Sequence, residues 1–263
     1  LHELKKLKEL NLSWILASDI KAIKALPNLK KINIDIMHHT KEDHLSSYDA
    51  EPEVNDKDLL FFKESKKLED MELSIGEVPT TDGYSEQPYS SYNGDGEFLN
   101  YINYKIEKIH LSINFSLNNQ IKIQDIINKI TNRFLNLKIL NLEFGISMRE
   151  NDFNMFSGKY LRKIQTQIVD FSKLAKLSKL TELTFQQYSD EKYIPFKTIN
   201  FESIIKLKKI KLFQYCWNSV SSNEIRKARI ALKNENYDNP EYYDSDYNYN
   251  YYADEEEEYK KNW

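Results

Sequence analysis

One short pattern recurs along this chain and limits what it can become: an apolar residue, two of any kind, an apolar residue, one of any kind, and a third apolar residue. It reads Leu7-Lys-Glu-Leu10-Asn-Leu12, then Leu29-Lys-Lys-Ile32-Asn-Ile34, Leu68-Glu-Asp-Met71-Glu-Leu73 and Ile106-Glu-Lys-Ile109-His-Leu111. It continues as Leu137-Lys-Ile-Leu140-Asn-Leu142, Leu180-Thr-Glu-Leu183-Thr-Phe185 and Leu207-Lys-Lys-Ile210-Lys-Leu212. The second and third apolar positions are two apart, the period at which a strand turns side chains to one face. The first lies three residues earlier, where a helix or turn hands the chain to the strand. One such strand does not bury its apolar face alone. Copies stacked side by side form a parallel sheet over a continuous core.

The stretches ahead of the strands read as helices. Ile20, Ile23 and Leu26 precede the second copy, and Ile123, Ile126, Ile127, Ile130 and Phe134 precede the fifth. Phe171, Leu174 and Leu177 lead into the sixth, and Ile204-Ile205 into the seventh. Spacings of three and four place these apolar residues on one helical face.

The segments Ala25-Leu-Pro-Asn-Leu29 and Leu135-Asn-Leu137-Lys-Ile-Leu140-Asn-Leu142 resemble the leucine-rich repeat family, and the resemblance covers about residues 1–215. It implies an α/β solenoid, with a curved parallel sheet on the concave side and helices and irregular loops on the convex side. It also implies protein–protein recognition, mostly on the concave side. Successive copies here are 22, 39, 38, 31, 43 and 27 residues apart, against a usual repeat of roughly 20–29. The longer intervals therefore hold insertions.

The residues flanking the last apolar position of each copy are expected to face outward. They are Asn11 and Ser13, Asn33 and Asp35, Glu72 and Ser74, His110 and Ser112, Asn141 and Glu143, Thr184 and Gln186, and Lys211 and Phe213. This row is polar and mixed in charge, which suits a protein partner better than an oily ligand. A second, weaker candidate is the insertion between about residues 76 and 100. It is too rich in Gly, Pro and polar residues for an internal helix, and its Tyr84, Tyr89 and Tyr92 are of a type enriched at binding surfaces.

The chain divides into a solenoid, 1–233, and a tail, 234–263. Ser221-Ser-Asn-Glu224 resembles a capping box, and Ile225, Ala228 and Leu232 share one helical face. A helix over about 222–233 is thus expected to shield the open end of the core. The tail holds ten acidic residues, two lysines and eight tyrosines, a balance of −8 against −4 for the whole chain, so residues 1–233 carry +4. Such a tail has too few aliphatic residues to form its own core.

Other chemistries find little support. His38, His39, His44 and Asp43 lie together in a polar insertion without cysteine partners or helical spacing, and read as a solvated loop and not a zinc site. Cys216, the single cysteine, rules out an intrachain disulfide and pairs with no base in sequence, so it reads as a small buried residue. No phosphate loop, HExxH or singled-out carboxylate pair is present. Neither an enzyme nor a cofactor is therefore expected. Lysines near the strand starts, such as Lys30-Lys31 and Lys208-Lys209, read as a solvated rim and not a nucleic-acid stripe. No apolar run reaches membrane-spanning length and no secretory signal opens the sequence, so an intracellular, cytoplasmic setting is the expectation. The leading functional expectation is a protein-interaction module: a scaffold, an adaptor or part of a receptor. The alternative is an acidic-tailed, chaperone-like binder of basic proteins such as histones.

Overall fold

The computed structural model describes residues 5–15, 17–20, 23, 26–36, 54–76, 92, 94–116, 123–147, 167–188, 196–216 and 222–233. Each apolar triplet leads into a strand. These are β1 (Glu9–Ile15), β2 (Lys31–Ile36), β3 (Asp70–Ile75), β4 (Lys108–Ser116) and β5 (Ile139–Ser147), with β7 (Glu182–Tyr188) and β9 (Leu212–Cys216) following after β6 (Gln167–Asp170). The seven triplet strands form one open, wholly parallel sheet in the order β1-β2-β3-β4-β5-β7-β9. β6 and β8 (Phe196–Ile199) make a separate parallel pair that the apolar pattern did not announce.

Two backbone devices repeat at every step after the first. The first apolar residue of the triplet closes a turn by donating its N–H to the carbonyl three residues back. The pairs are Leu29 to Leu26, Leu68 to Ser65, Ile106 to Asn103, Leu137 to Phe134, Leu180 to Leu177 and Ile210 to Leu207, at 2.9–3.2 Å. Two consecutive N–H groups then donate to a single carbonyl of the preceding strand's entry. Lys30 and Lys31 share Lys8, Glu69 and Asp70 share Lys30, and Glu107 and Lys108 share Glu69. Lys138 and Ile139 share Glu107, Thr181 and Glu182 share Lys138, and Lys211 and Leu212 share Thr181. The shared acceptor fixes where each strand begins relative to its neighbour, and therefore fixes register.

Register places Leu10, Ile32, Met71, Ile109, Leu140, Leu183 and Phe213 in one row, and Leu12, Ile34, Leu73, Leu111, Leu142, Phe185 and Tyr215 in the next. From Ile32 and Ile34 onward both rows are at most 2% exposed. Each such side chain contributes about 1.5–3 kcal/mol on burial. The seventh strand departs from expectation. Leu183 pairs with Phe213, so the working triplet is Ile210-Lys-Leu-Phe213-Gln-Tyr215, three residues beyond the frame that starts at Leu207. Leu207 occupies the turn-closing position of Leu177, and because it too is apolar, both frames satisfy the pattern.

The segments ahead of the strands are mostly shorter and tighter than expected. Ile123–Arg133 is a true helix (α2), with Ile123, Ile126, Ile127 and Ile130 buried, Asp125 in its first turn and Arg133 in its last, as the helix dipole favours. The helix expected around Ile20 to Leu26 is described only over Ala17–Ile20 (α1). The Phe171 and Ile204 segments are 3-10 helices, Ser172–Lys176 and Phe201–Lys206. So are Asp56–Glu64, closed by a reciprocal Asn55–Asp58 cap, and Glu97–Asn100 in the Gly-rich insertion. With only a few residues before the next turn, a 3-10 turn buries its apolar side chains where an α-helix has no room to develop. Ser222–Ala231 is the third α-helix among the described residues (α3); it buries Ile225 and Ala228, with Leu232 just beyond it, and packs on Phe201–Lys206.

The β6–β8 pair shows that the last two units are close copies. Val169 faces Thr198 in register, and Phe171 and Phe201 begin equivalent stretches ahead of Leu183 and Phe213. Their rings form one cluster. Phe171 stacks on Phe185 at 4.6 Å, Phe201 meets Tyr215 edge-on at 4.9 Å, and the Tyr215 and Thr198 hydroxyls bond at 2.9 Å. Gln124 of α2 closes the free edge of β6: its Oε1 accepts from the Asp170 N–H at 2.5 Å and its Nε2 donates to the Asp170 carbonyl at 3.4 Å.

Candidate functional site

Because strand residues alternate, the face opposite the core is as regular as the core itself. Three tiers cross it. The first holds Glu9, Lys31, Asp70, Lys108, Ile139, Glu182 and Leu212. The second holds Asn11, Asn33, Glu72, His110, Asn141, Thr184 and Gln214. The third runs Asp35, Ser74, Ser112, Glu143 and Gln186, with Ser13 beside Asp35 at an irregularity in the β1–β2 ladder.

Twelve of the fourteen expected outward residues, from Asn11 to Gln186, occupy this face. Two do not. Phe213 is fully buried, and Lys211 is exposed but precedes β9. The three-residue frame slip explains both, and Leu212 and Gln214 take the outward positions. Ser112 and Thr184 lie on the face yet are only 6% and 5% exposed.

Charges concentrate at the centre. His110 lies between two carboxylates: Nδ1 is 3.3 Å from Glu72 Oε1, and Nε2 is 3.2 Å from Glu143 Oε1. The Nε2 contact is a close charge pairing and not an aligned hydrogen bond, and Nε2 is shut off from solvent. Burial alone would lower the pKa of His110, and Lys108 adds to that, but the Glu143 and Glu72 carboxylates outweigh both and raise it. Lys108 approaches Asp70 at 3.7 Å and Glu72 at 3.9 Å. Asp35 differs. Desolvation raises its pKa, a hydrogen bond from Ser74 offsets part of that, and no cation pairs with it among the described residues.

The tyrosine candidates fare differently. Tyr84 and Tyr89 lie outside the described residues, as do His38, His39, Asp43 and His44. Tyr92 is fully buried and is no surface residue. Its hydroxyl donates to Asp56 Oδ1 at 2.6 Å and accepts from the Gly96 N–H at 3.0 Å, and Asp56 also accepts from the N–H groups of Asp95 and Phe98. Aspartate and tyrosine stand 36 residues apart, so composition alone gave no sign of the pairing.

Part of the lysine rim is engaged. Lys30 pairs with Glu69 at 3.0 Å and Lys138 with Glu107 at 2.6 Å, while Lys67 and Lys179 donate to Asn28 and Asn136 of the preceding units. Among the described residues no group of three or more His, Cys, Asp or Glu is placed to hold a metal ion, and no helix is long and apolar enough to cross a membrane.

No protein-family model matches the sequence, and no curated protein matches it.

Proposed function

We propose that the chain is an irregular leucine-rich-repeat solenoid working as a protein-interaction module, with the outward, concave sheet face as its main recognition surface. The observation that carries this reading is the second tier, Asn11 to Gln214, whose register partners run through all seven strands and present one polar, mixed-charge row across the sheet. Such a surface is held rigid by the ladders beneath it, so little ordering cost attends binding. Charge pairs such as Glu72–His110–Glu143 supply specificity more than affinity. Tyr84 and Tyr89 add contacts from their insertion. No cofactor and no catalytic residue form part of this reading.

Photo-crosslinking tests it. A photoreactive residue at Asn33 or Asn141, on the face, is expected to trap a discrete partner from the native source. The same group at Asn132, on α2 away from the face, is expected not to. Crosslinks from Asn132 alone would overturn the reading.

A further inference from the structure

We infer that the third tier between β2 and β5 is a docking trench for an extended, lysine- or arginine-bearing segment, with Asp35 and Glu143 receiving its two cations. The inference rests on the proposed recognition face and narrows it to the partner's chemistry.

Charge is segregated across the molecule. The outward tiers hold six carboxylates (Glu9, Asp35, Asp70, Glu72, Glu143 and Glu182) against Lys31 and Lys108, a balance of −4. Residues 1–233 as a whole carry +4. The face thus has the opposite sign to the body that bears it, which attracts a cationic partner to this side.

The trench has its own unmet chemistry. Asp35 is half-buried, and its raised pKa reflects a carboxylate held from water with, among the described residues, the Ser74 hydroxyl in return. An approaching cation relieves that cost. Between the two carboxylates the floor is small: Ser74 and Ser112 are register partners. The Ser112 side chain is 6% exposed and lies on this face beside Glu143.

The span sets the spacing of the cations. β2 and β5 are three strand steps apart, about 14 Å at roughly 4.8 Å per step. An extended chain rising about 3.4 Å per residue crosses that distance in four residues, and residues four apart point to the same side. The partner's cations therefore stand at positions i and i+4.

The test uses the full chain and fluorescein-labelled Gly/Ser peptides carrying two lysines either four residues apart or adjacent. Fluorescence anisotropy is expected to show the spaced peptide binding at least about tenfold tighter, with the difference collapsing in about 0.5 M salt. Asp35→Asn combined with Glu143→Gln is expected to erase the preference while the thermal melt stays cooperative, and Glu202→Gln, an exposed carboxylate off the face, is expected to leave it. Equal affinity for both spacings overturns the inference, as does a preference that survives the double variant. If the peptides fail while face crosslinks still trap a partner, the trench falls and the recognition face stands. If the crosslinks fail too, both fall.

Discussion

The Tyr92 hydroxyl and the Asp56 carboxylate, 2.6 Å apart, join the end of one insertion to the 3-10 helix that ends another. Around that bond, Asp56 also holds the N–H groups of Asp95 and Phe98, and Tyr92 holds that of Gly96. Tyr92→Phe leaves the Gly96 N–H without its acceptor and takes a donor from Asp56. Chemical denaturation is expected to show a loss of about 1–3 kcal/mol. Burial and the Asp56 charge raise the Tyr92 pKa, so this contribution is complete below the ordinary tyrosine pKa near 10 and falls as pH rises above it.

Gly94 is fixed by the same pair. A Cβ there would lie 2.4 Å from the Tyr92 Oη and 2.6 Å from Asp56 Oδ2. Gly94→Ala is expected to cost about 1–3 kcal/mol through the displacement it forces, read as a drop in melting temperature. A variant as stable as wild type would place the Tyr92 ring elsewhere.

The register of β9 separates two neighbours by a large margin. Phe213 is fully buried, so Phe213→Ala is expected to cost about 3–5 kcal/mol. Lys211 is exposed, so Lys211→Ala is expected to cost under about 1 kcal/mol. Equilibrium denaturation of the two variants checks this, and a reversed order would restore the frame that begins at Leu207.

How far the sequence could be read follows from such details. The apolar triplets were legible because strand burial imposes a period of two on neighbouring residues, and six of seven frames hold. The seventh slipped because Leu207, Ile210 and Leu212 satisfy the same spacing as Ile210, Phe213 and Tyr215. Matching Phe171, Leu174, Leu177 and Leu180 to Phe201, Ile204, Leu207 and Ile210 reveals the correct frame, and that wider match is the signal that was available. The 3-10 segments looked helical because three-residue spacing serves both geometries. Tyr92 looked like a surface residue because its partner, Asp56, is distant in sequence. On the outward face, alternation placed twelve residues correctly but said nothing of how far Ser112 and Thr184 are enclosed by their neighbours.

His110 is expected to titrate above the ordinary value of 6.5, because Glu143 and Glu72 outweigh its burial and the nearby Lys108. With a folded pKa above the unfolded one, its contribution to stability is whole below 6.5 and is lost as pH rises through the folded pKa. An NMR titration of the His110 ring reads the shift directly. His110→Gln is expected to flatten the fall in melting temperature across that window, and a His110 pKa below 6.5 would contradict the carboxylate clamp.

The core and the outward face both depend on neighbouring triplets lying side by side as successive strands of one open sheet. Spin labels on the second tier, in a Cys216→Ala background, test this by pulsed electron resonance. From a label at Asn11, the distance to Asn141, four strands along, is expected to be about 19 Å, and to Gln214, six along, about 29 Å. Distances that rise with strand count support the account. A Gln214 label as near to Asn11 as the Asn141 label, or nearer, would contradict it.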